Sequence, residues 1–413
     1  MRTSHLGATA AVVLACAALA LPAQARPLDR LIPGLFGGEF ATSITPRAAV
    51  DAQRPKVADR FRGLSAAVAA ARSQAPIPSA SGAFAFTWSD DLETYVRAPY
   101  SLGPSLAERA QTLGRGSKFV SLSYTHIDFD TLEGQSLNHV GSVQPALTAD
   151  FIAQLPPEDR ERALDNQLDS EINLDFSLDL FFLTMAYGLT DTIDLSASLT
   201  VNRAHMKARG NAMITDPNGD GGAFFVVSQQ GVIVGGSGPI CRTDFRCAAD
   251  TAADTAVGTG DIFLRSKWHA LHFDMADFAV VGVLTIPTGN ADDFLGFHDP
   301  TFTPWVVASA AYGPIEPHFN LGYSIRSDDD VGQAQWIAGA GVRLTDRFTI
   351  VGDFLGYHDD KRDGINDDVI QSALGVRLNL IGDLVLTTMF QFPLNDDGLR
   401  ADVIYTGQVE YTF

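Results

Sequence analysis

Apolar and polar residues alternate one by one along the last stretch of the chain. In residues 403–413, one face carries Tyr405, Val409, Tyr411 and Phe413, and the other face carries threonine, glutamine and glutamate. A period of two predicts a β-strand with one apolar and one polar face. Aromatic rings near the end of such a strand are typical of the interface band of an outer-membrane barrel. An edge strand of a soluble β-sandwich is the alternative interpretation.

The same alternation recurs along the chain and defines twelve candidate strands. Each is long enough to cross a bilayer, which takes roughly ten residues of tilted strand. An even number of strands is expected of a single-chain bacterial barrel. The pattern therefore predicts an all-β fold, a transmembrane antiparallel up-and-down β-barrel of about 12 strands. The candidate strands are residues 118–130, 172–187, 192–206, 260–273, 277–287, 301–312, 315–326, 334–345, 347–358, 369–380, 384–393 and 400–413.

Connections between the candidate strands fall into two classes that alternate. Tight turns, such as residues 187–191 and 345–347, alternate with longer loops rich in Asp, Asn and Gly, such as residues 131–171 and 207–259. Outer-membrane barrels have short turns on the periplasmic side and long loops outside. A soluble sandwich has no reason to sort its connections in this way, so the loop lengths favour the barrel.

The chain begins with a predicted secretory signal. An apolar run at residues 8–21 follows Arg2 and leads to a small-residue cleavage pattern that ends at Ala25. The run is too short for a membrane helix, so residues 1–25 are predicted to be a signal peptide. Lipidation of Cys16 is the weaker alternative, because its flanking residues make a poor lipidation motif. Export together with the barrel pattern predicts a place in the bacterial outer membrane.

The next segment, residues 26–117, does not alternate and is predicted to precede a barrel that occupies residues 118–413. Apolar residues at helical spacing across residues 57–75 predict an amphipathic helix, which Pro76 and Pro78 end. Two interpretations of this part-helical segment stay open. It is either a plug that enters the barrel or a periplasmic extension.

Charged residues in the candidate strands are predicted to face the lumen, because an Arg or Lys that faces lipid at mid-bilayer costs about 2–4 kcal/mol. In the third strand, Leu195 and Leu199 would face lipid, whereas Asn202 would face inward. The polar lumen that results carries both signs of charge. These charges either bias which solutes pass or pair with one another across a narrow interior. The candidate lumen-facing residues are Asp175, Asp179, Asp194, Arg265, Lys267, His318, Arg326, Arg343, Asp353, Arg377 and Glu410.

Net charge and cysteine content add two constraints. A net charge of −20 argues against binding to nucleic acid. Cys241 and Cys247 remain after removal of the signal peptide, and in an oxidising compartment they can form a small disulfide loop. Free thiols or metal ligands are the alternative, although no histidine or further cysteine lies nearby to support a metal site.

Residues 216–221 (DPNGDG) match the first half of a calcium-binding loop. Asp216, Asn218 and Asp220 supply oxygen atoms at alternate positions, with a glycine at the turn. The bidentate glutamate expected further on is missing, since Val227 occupies that position. A calcium site and a solvated turn are the two interpretations, and no other cofactor is expected.

Four short motifs follow one another in order: residues 101–116 (SLGPSLAERAQTLGRG), 187–191 (YGLTD), 258–262 (GTGDI) and 286–293 (IPTGNADD). Together they resemble outer-membrane proteins labelled as belonging to the meta pathway of phenol degradation. These are relatives of the long-chain fatty-acid and toluene channels, so the resemblance implies a barrel that passes hydrophobic or aromatic compounds. The chain end with Tyr411 and Phe413 is also similar to the assembly signal of such barrels.

The sequence thus predicts a channel through which small, hydrophobic or aromatic molecules diffuse passively. Its expected partners are the lipid bilayer, lipopolysaccharide, the barrel-assembly machinery and a small-molecule solute. The alternative is a non-conducting structural or surface-interaction barrel that acts through its long extracellular loops. No enzyme is predicted, because the histidines are scattered and no serine-centred motif accompanies them.

Overall fold

The structure is a computed structural model. It describes residues 27–31, 86–89, 94–97, 102–145, 153, 157, 160, 167–215, 224–228, 231–235, 247–327, 332–360 and 368–413. The predicted signal peptide, the predicted helix at 57–75, the candidate calcium loop and Cys241 lie outside the described residues. The possible calcium site and disulfide therefore stay predictions.

Twelve long strands form the barrel, and we number them β1 to β12 in chain order. They are β1 Lys118–Phe129, β2 Gln167–Gly188, β3 Ile193–Thr215, β4 Cys247–Phe273, β5 Ala276–Ile286, β6 Thr301–Ala310, β7 Ile315–Arg326, β8 Gly332–Thr345, β9 Phe348–Asp359, β10 Asp368–Ile381, β11 Leu384–Pro393 and β12 Ile404–Thr412.

Each barrel strand pairs antiparallel with the strand before it and the strand after it. The ring closes because β1 pairs with β12 on one side, with Thr125 opposite Thr406, and with β2 on the other, with Leu122 opposite Leu183. Where all twelve strands lie side by side, closure leaves no unpaired sheet edge, which is what a lipid environment demands of a β-structure. The prediction of an all-β antiparallel barrel of twelve strands is confirmed.

Several short strands and turns accompany the twelve barrel strands. A three-stranded sheet joins Thr131–Leu132, Gln135–Ser136 and Leu399–Arg400, and Val140–Pro145 pairs with the start of β2. Two separate hairpins pair Phe86–Ser89 with Thr94–Arg97, and Phe224–Ser228 with Gly231–Gly235. Single 3-10 turns occur at Leu28–Arg30, Leu137–His139 and Ala291–Asp293. Among the described residues, no helix has the length and apolarity to cross a membrane.

The connections alternate between tight turns and long loops, as the sequence indicates. Two residues join β4 to β5, β8 to β9 and β10 to β11, whereas 37 separate β1 from β2 and 31 separate β3 from β4. We call the two rims the turn end and the loop end. In outer-membrane barrels the turns face the periplasm and the loops face outward.

The boundaries of three strands differ from the prediction. β2, β3 and β4 contain 22, 23 and 27 residues, and they pair with one another far beyond the length needed to cross a bilayer. Gln167 lies opposite Thr215, and Cys247 lies opposite Met213. The sequence placed residues 207–259 in a loop because this stretch is rich in Asp, Asn and Gly. The strands continue because backbone pairing does not require a lipid-facing side.

Large apolar side chains cover the outer face of the barrel. Leu195 and Leu199 on β3 are 43% and 42% exposed, whereas their inward neighbours Asp194 and Ser198 are 3% exposed. Exposed aromatic rings form one band near the turn end and a second band towards the loop end, which is the arrangement of interfacial girdles in outer-membrane barrels. The bands contain Tyr187, Trp268, Phe273, Tyr312, Tyr411 and Phe413, and Phe302, Tyr323, Phe390, Phe392 and Tyr405, respectively.

Asp175 and Asp179 are the two charged residues for which the predicted direction is wrong. In β2, Phe176 and Leu178 are fully buried inside, and the aspartates lie on the outer side. Asp179 accepts there from His126, at 2.8 Å. The prediction assumed that all of β2 lies in lipid. The first half of β2 extends past the bilayer towards the loop end, where a carboxylate on the outer side meets water and neighbouring polar groups.

Arginine at an outward position tests where the bilayer ends. Leu199→Arg should cost about 2–4 kcal/mol of unfolding free energy in vesicles, because this position lies near the middle of the part of β3 that crosses lipid. Ala253→Arg, at an exposed outward position of the extended part of β4, should cost almost nothing. Urea unfolding in lipid vesicles, followed by tryptophan fluorescence, measures both values. Equal costs would mean that the extended strands are also embedded.

Candidate functional site

An irregular segment, residues 102–116, runs inside the barrel at the turn end before the chain enters β1. Ala107, Ala110 and Leu113 have no exposed surface. Most of the polar side chains between residues 105 and 112 are buried as well. Buried polar groups require partners, and the inward-facing side chains of the barrel wall supply them. We call these residues the internal segment.

Arg109 is the most deeply buried charge of the internal segment. Its Nε lies 2.9 Å from Glu316 Oε1, and its Nη2 donates to Glu316 Oε2 at 3.1 Å, with side-chain exposures of 1% and 4%. The hydrogen bond from Nη2 is charge-assisted and therefore stronger than a neutral one, and the close Nε contact adds to the attraction of this buried ion pair. Gly103 has φ +85°, and a Cβ there would lie 2.7 Å from Arg109 Nη2, so both backbone direction and space require glycine.

Two cations of β4 hold the middle of the internal segment. Arg265 forms an ion pair with Glu108. Lys267 Nζ lies 3.9 Å from Glu108 Oε2 and 3.5 Å from Asp194 Oδ2. It also donates to the backbone oxygen of Gln111 at 2.8 Å. The charges of the internal segment and of the wall therefore neutralise one another in a buried network.

Further hydrogen bonds fix the backbone of the internal segment around the ring. Ala110 N donates to Ser309 Oγ on β6 at 3.0 Å, and Leu102 N donates to Thr349 Oγ1 on β9 at 3.1 Å. Arg377 on β10 donates to the backbone oxygen of Pro104. These anchors lie on strands from different sides of the ring, all towards the turn end. The internal segment thus spans the lumen rather than following one wall.

The loop end of the lumen is covered by a cluster of apolar side chains. The loop between β5 and β6 folds inward, so that Phe294 and Leu295 are each 4% exposed. Leu28, near the start of the described chain, packs in the same cluster, and its N–H donates to Asp293 Oδ1 at 3.1 Å. Leu399, from the small sheet, is 1% exposed and belongs to the cluster as well.

A β-bulge in β4 holds this inward-folded loop in place. The register of β4 against β3 shifts between Thr259 and Ile262. At the bulge the fully buried carboxylate of Asp261 accepts from the N–H groups of Gly289 and Phe297, at 3.1 and 2.8 Å. The motif at 258–262 therefore binds the motif at 286–293.

A cavity of about 160 Å³ lies in the lumen between the internal segment and the inward-folded loop. On one side, β2, β4 and β5 contribute five apolar side chains, which we call the apolar wall, next to Arg265 and Thr285; the apolar wall consists of Leu180, Phe182, Phe263, Val281 and Val283. On the facing side, polar residues of β7, β8 and β10 lie among apolar ones such as Ile337 and Val369; these polar residues are Asn320, Ser324, Arg326, Gln333, Gln335 and Gln371. Trp305 and Phe297 add aromatic surface. A mixed lining of this kind suits a small amphipathic molecule.

Most of the predicted lumen-facing charges lie on the inner side in buried pairs. His318 Nε2 lies 2.6 Å from Asp353 Oδ1, and Arg377 pairs with Glu410. Arg343 is at the turn end and is 32% exposed, 3.9 Å from Asp346. The inward-facing set comprises Asp194, Arg265, Lys267, His318, Arg326, Arg343, Asp353, Arg377 and Glu410. Of the two interpretations of these charges, the geometry favours mutual pairing.

Sequence reasoning missed the apolar inner wall and the contacts of the internal segment. Along residues 172–180 of β2, the apolar positions face inward and the polar positions face outward, the reverse of the lipid-embedded part from Phe181 onward. Alternation reports that the two faces differ, and it does not say which face is inside. In β2 the apolar residues change from inward to outward positions at Phe181, and this change was the sequence signal that could have revealed the apolar wall.

The aromatic residues at the chain end point outward at the turn end. The rings of Tyr411 and Phe413 stack with centroids 5.7 Å apart, and Lys118 Nζ lies 5.8 Å from the Phe413 centroid. Both positions are accessible from outside the barrel, at 43% and 60% exposure. Their recognition by the barrel-assembly machinery stays a prediction.

No protein-family profile matches the chain, and no curated protein sequence matches it. Solved structures that resemble it are membrane barrels. The COG4313 outer membrane channel from Pseudomonas putida F1 is 12% identical over 72% of this chain and 96% of that chain, with a TM-score of 0.40. A Pseudomonas aeruginosa FadL homologue is 9% identical over 74% and 91%, with a TM-score of 0.34.

A mutant of the TodX monoaromatic hydrocarbon channel is 9% identical over 76% of this chain and 94% of that chain, with a TM-score of 0.34. Resemblance this distant says nothing about what the lumen of this chain carries. The resemblance to the phenol meta-pathway family stays a prediction.

Proposed function

We propose that this protein is an outer-membrane channel through which small molecules with an aromatic or hydrophobic part diffuse passively. The observation that carries the proposal is the cavity with the apolar wall on one side and a mixture of polar and apolar residues on the other. An apolar wall offers no partners to the hydration shell of an ion or a sugar. It does favour a solute that can bury part of its own apolar surface.

Pairing of the interior charges supports the same class of solute. The ion pairs Arg109–Glu316 and Arg377–Glu410 leave little net field for attracting an ion of either sign. Two arginines line the cavity: Arg265 pairs with Glu108, and Arg326 lies among the polar residues of the facing side. A neutral or weakly acidic solute with one polar group therefore fits the site better than a multiply charged one.

Passage requires movement at both ends of the lumen. The internal segment covers the turn end, and the apolar cluster around Phe294 and Leu399 covers the loop end. The internal segment is held by ion pairs and hydrogen bonds around the ring, and the loop-end cover is held by Asp261 and by apolar packing. A channel built in this way would conduct only while both covers are displaced, which limits leakage of other solutes.

Changing the apolar wall at one position should lower flux of an aromatic solute. Val281 lines the cavity and has no exposed surface, and Val281→Asn removes apolar contact and introduces an amide. Loss of about two buried methyl groups costs about 1.6 kcal/mol, so uptake of benzyl alcohol into vesicles should fall about tenfold. Stopped-flow uptake, with glucose as the polar reference solute, measures this change.

Val307→Asn is the matched control for this experiment. Val307 also faces inward without exposure, and it lies outside the cavity lining. Its variant should keep the ratio of benzyl alcohol to glucose uptake. If neither the wild-type protein nor a variant with a released internal segment transports any solute, the barrel is structural and its loops carry the function instead.

A further inference from the structure

Three side chains with metal-binding atoms meet at the turn end, across the tight turn between β4 and β5. His269 Nε2 and His272 Nδ1 lie 2.9 and 2.6 Å from the same oxygen, Asp277 Oδ1. All three donor atoms lie within 4.8 Å of one another. Zinc is bound by histidine nitrogen and carboxylate oxygen at about 2.0–2.2 Å, so small side-chain rotations would place an ion between these atoms.

A β-bulge brings the two histidines together. Residues three apart in a regular strand point to opposite faces, so His269 and His272 would normally diverge. The register of β4 against β5 shifts between His269 and Leu271, which adds Ala270 as an extra residue. Beyond the shift, His272 lies directly opposite Asp277. Bulges commonly re-aim a side chain at functional sites, and this one converts a diverging pair into a converging one.

The three side chains differ in their exposure to solvent and in how firmly the surrounding fold holds them. Asp277 and His269 are 7% and 10% exposed, whereas His272 is 38% exposed at the rim. The exposed ring provides a way in from the periplasmic side, and the other two are held by the fold. Gln111 of the internal segment donates from Nε2 to Asp277 Oδ2 at 2.6 Å, which leaves Oδ1 to the histidines. Such a partner orients a metal-binding carboxylate.

We propose that His269, His272 and Asp277 bind a divalent transition-metal ion, with Zn²⁺ as the best match. Two imidazole nitrogens and one carboxylate oxygen leave a fourth tetrahedral position open to water on the periplasmic side. Because Gln111 holds the same carboxylate, the ion would sit against the internal segment. Binding at this site is independent of whether the lumen conducts.

Zinc binding to the detergent-solubilised full chain tests the proposal. The protein is prepared without an affinity tag and in a Cys241→Ser, Cys247→Ser background, so that thiols do not compete. Zn²⁺ is titrated by calorimetry, and Co²⁺ is added separately because its visible absorption reports coordination. The expected result is one Zn²⁺ per chain and a Co²⁺ absorption band typical of tetrahedral coordination.

Single substitutions then locate the ion. His272→Ala removes a ligand and should weaken binding by more than about 100-fold. It should leave the barrel folded, since this ring is at the rim. Gln111→Met removes the hydrogen-bonded partner of a ligand, which typically costs about 10–100-fold, so it should weaken binding less than His272→Ala. His126→Ala is the control, because His126 also contacts a carboxylate, Asp179 at 2.8 Å, without a second imidazole.

Two results would overturn the site. One is no stoichiometric zinc binding by a protein whose heat-modifiable gel mobility shows a folded barrel. The other is zinc binding that His272→Ala and His269→Ala leave unchanged, or that His126→Ala reduces equally. Either outcome would show that the three side chains form only a hydrogen-bonded cluster.

Discussion

Replacing Arg109 by methionine should release the internal segment from the lumen. Methionine replaces the linear part of the side chain and removes the charged guanidinium, so Glu316 is left buried without this partner. Breaking a buried ion pair on one side costs about 3–5 kcal/mol. The ratio of seated to released internal segment should therefore fall by about two to four orders of magnitude, at about 1.36 kcal/mol per tenfold.

Two measurements follow this release. Planar-bilayer recordings should show open events more often in the variant than in the wild-type protein, because only the loop-end cover then remains to be displaced. Ser105→Cys, a nearly isosteric change at a position that is 5% exposed, provides a label site in the internal segment. Its reaction with a bulky maleimide in detergent should speed up by a similar factor, because labelling follows the population of the released state.

Arg115→Met is the matched control. Arg115 lies at the end of the same segment, and its pair with Asp191 is 3.6 Å long with exposures of 69% and 37%. An exposed ion pair contributes about 0–1 kcal/mol, so current and labelling should stay near the wild-type values. Equal behaviour of the two variants would mean that the charge network does not hold the internal segment in place.

How much of this structure could be predicted from the sequence depends on what surrounds each face of the barrel. Lipid outside and polar neighbours inside impose a contrast at every second residue. The number of strands, the alternation of turns and loops, and the inward direction of Asp194 and Lys267 follow from that contrast. Beyond the lipid, nothing requires the outward positions to be apolar, so the alternation no longer shows which face is inside. Asp179 and the extended parts of β3 and β4 were misjudged for this reason.

Contacts between distant segments could not be predicted from the sequence for a different reason. The motifs at 101–116 and 187–191 touch because Gly188 has no side chain. A Cβ there would lie 1.9 Å from the backbone oxygen of Gly114, and Gly116 N donates to Gly188 O at 2.8 Å. Each glycine looks like an ordinary turn residue in the sequence. Only the three-dimensional approach of the two backbones explains why a larger residue is not tolerated.

The same argument applies to the candidate zinc site. His269 and His272 are separated by two residues, and regular strand geometry would place them on opposite faces. The bulge that removes this conflict adds a single residue and leaves no mark in the hydrophobic pattern. Asp277 gives no sign in the sequence of its role either, because it stands at the start of β5 like an ordinary turn aspartate.

Removing the carboxylate of Asp261 should open the other end of the lumen. Asp261→Ala leaves the N–H groups of Gly289 and Phe297 without their common acceptor. Hydrogen bonds to a charged group contribute about 1.5–3 kcal/mol each. Allowing for the partial exposure of these donors, the inward-folded loop should lose about 2–5 kcal/mol, and the fraction of open loop should rise at least about 30-fold.

Limited proteolysis with thermolysin measures the open fraction, because cleavage next to Phe294 and Leu295 requires that these buried side chains leave the lumen. His298→Ala changes an exposed residue of the same loop and should be cleaved at the wild-type rate. Asp261→Ala should not speed maleimide labelling of a Ser105→Cys chain, because the internal segment has its own anchors. Cleavage at the wild-type rate in Asp261→Ala would show that apolar packing alone seats the loop. Accelerated labelling at position 105 would instead show that the two covers of the lumen open together.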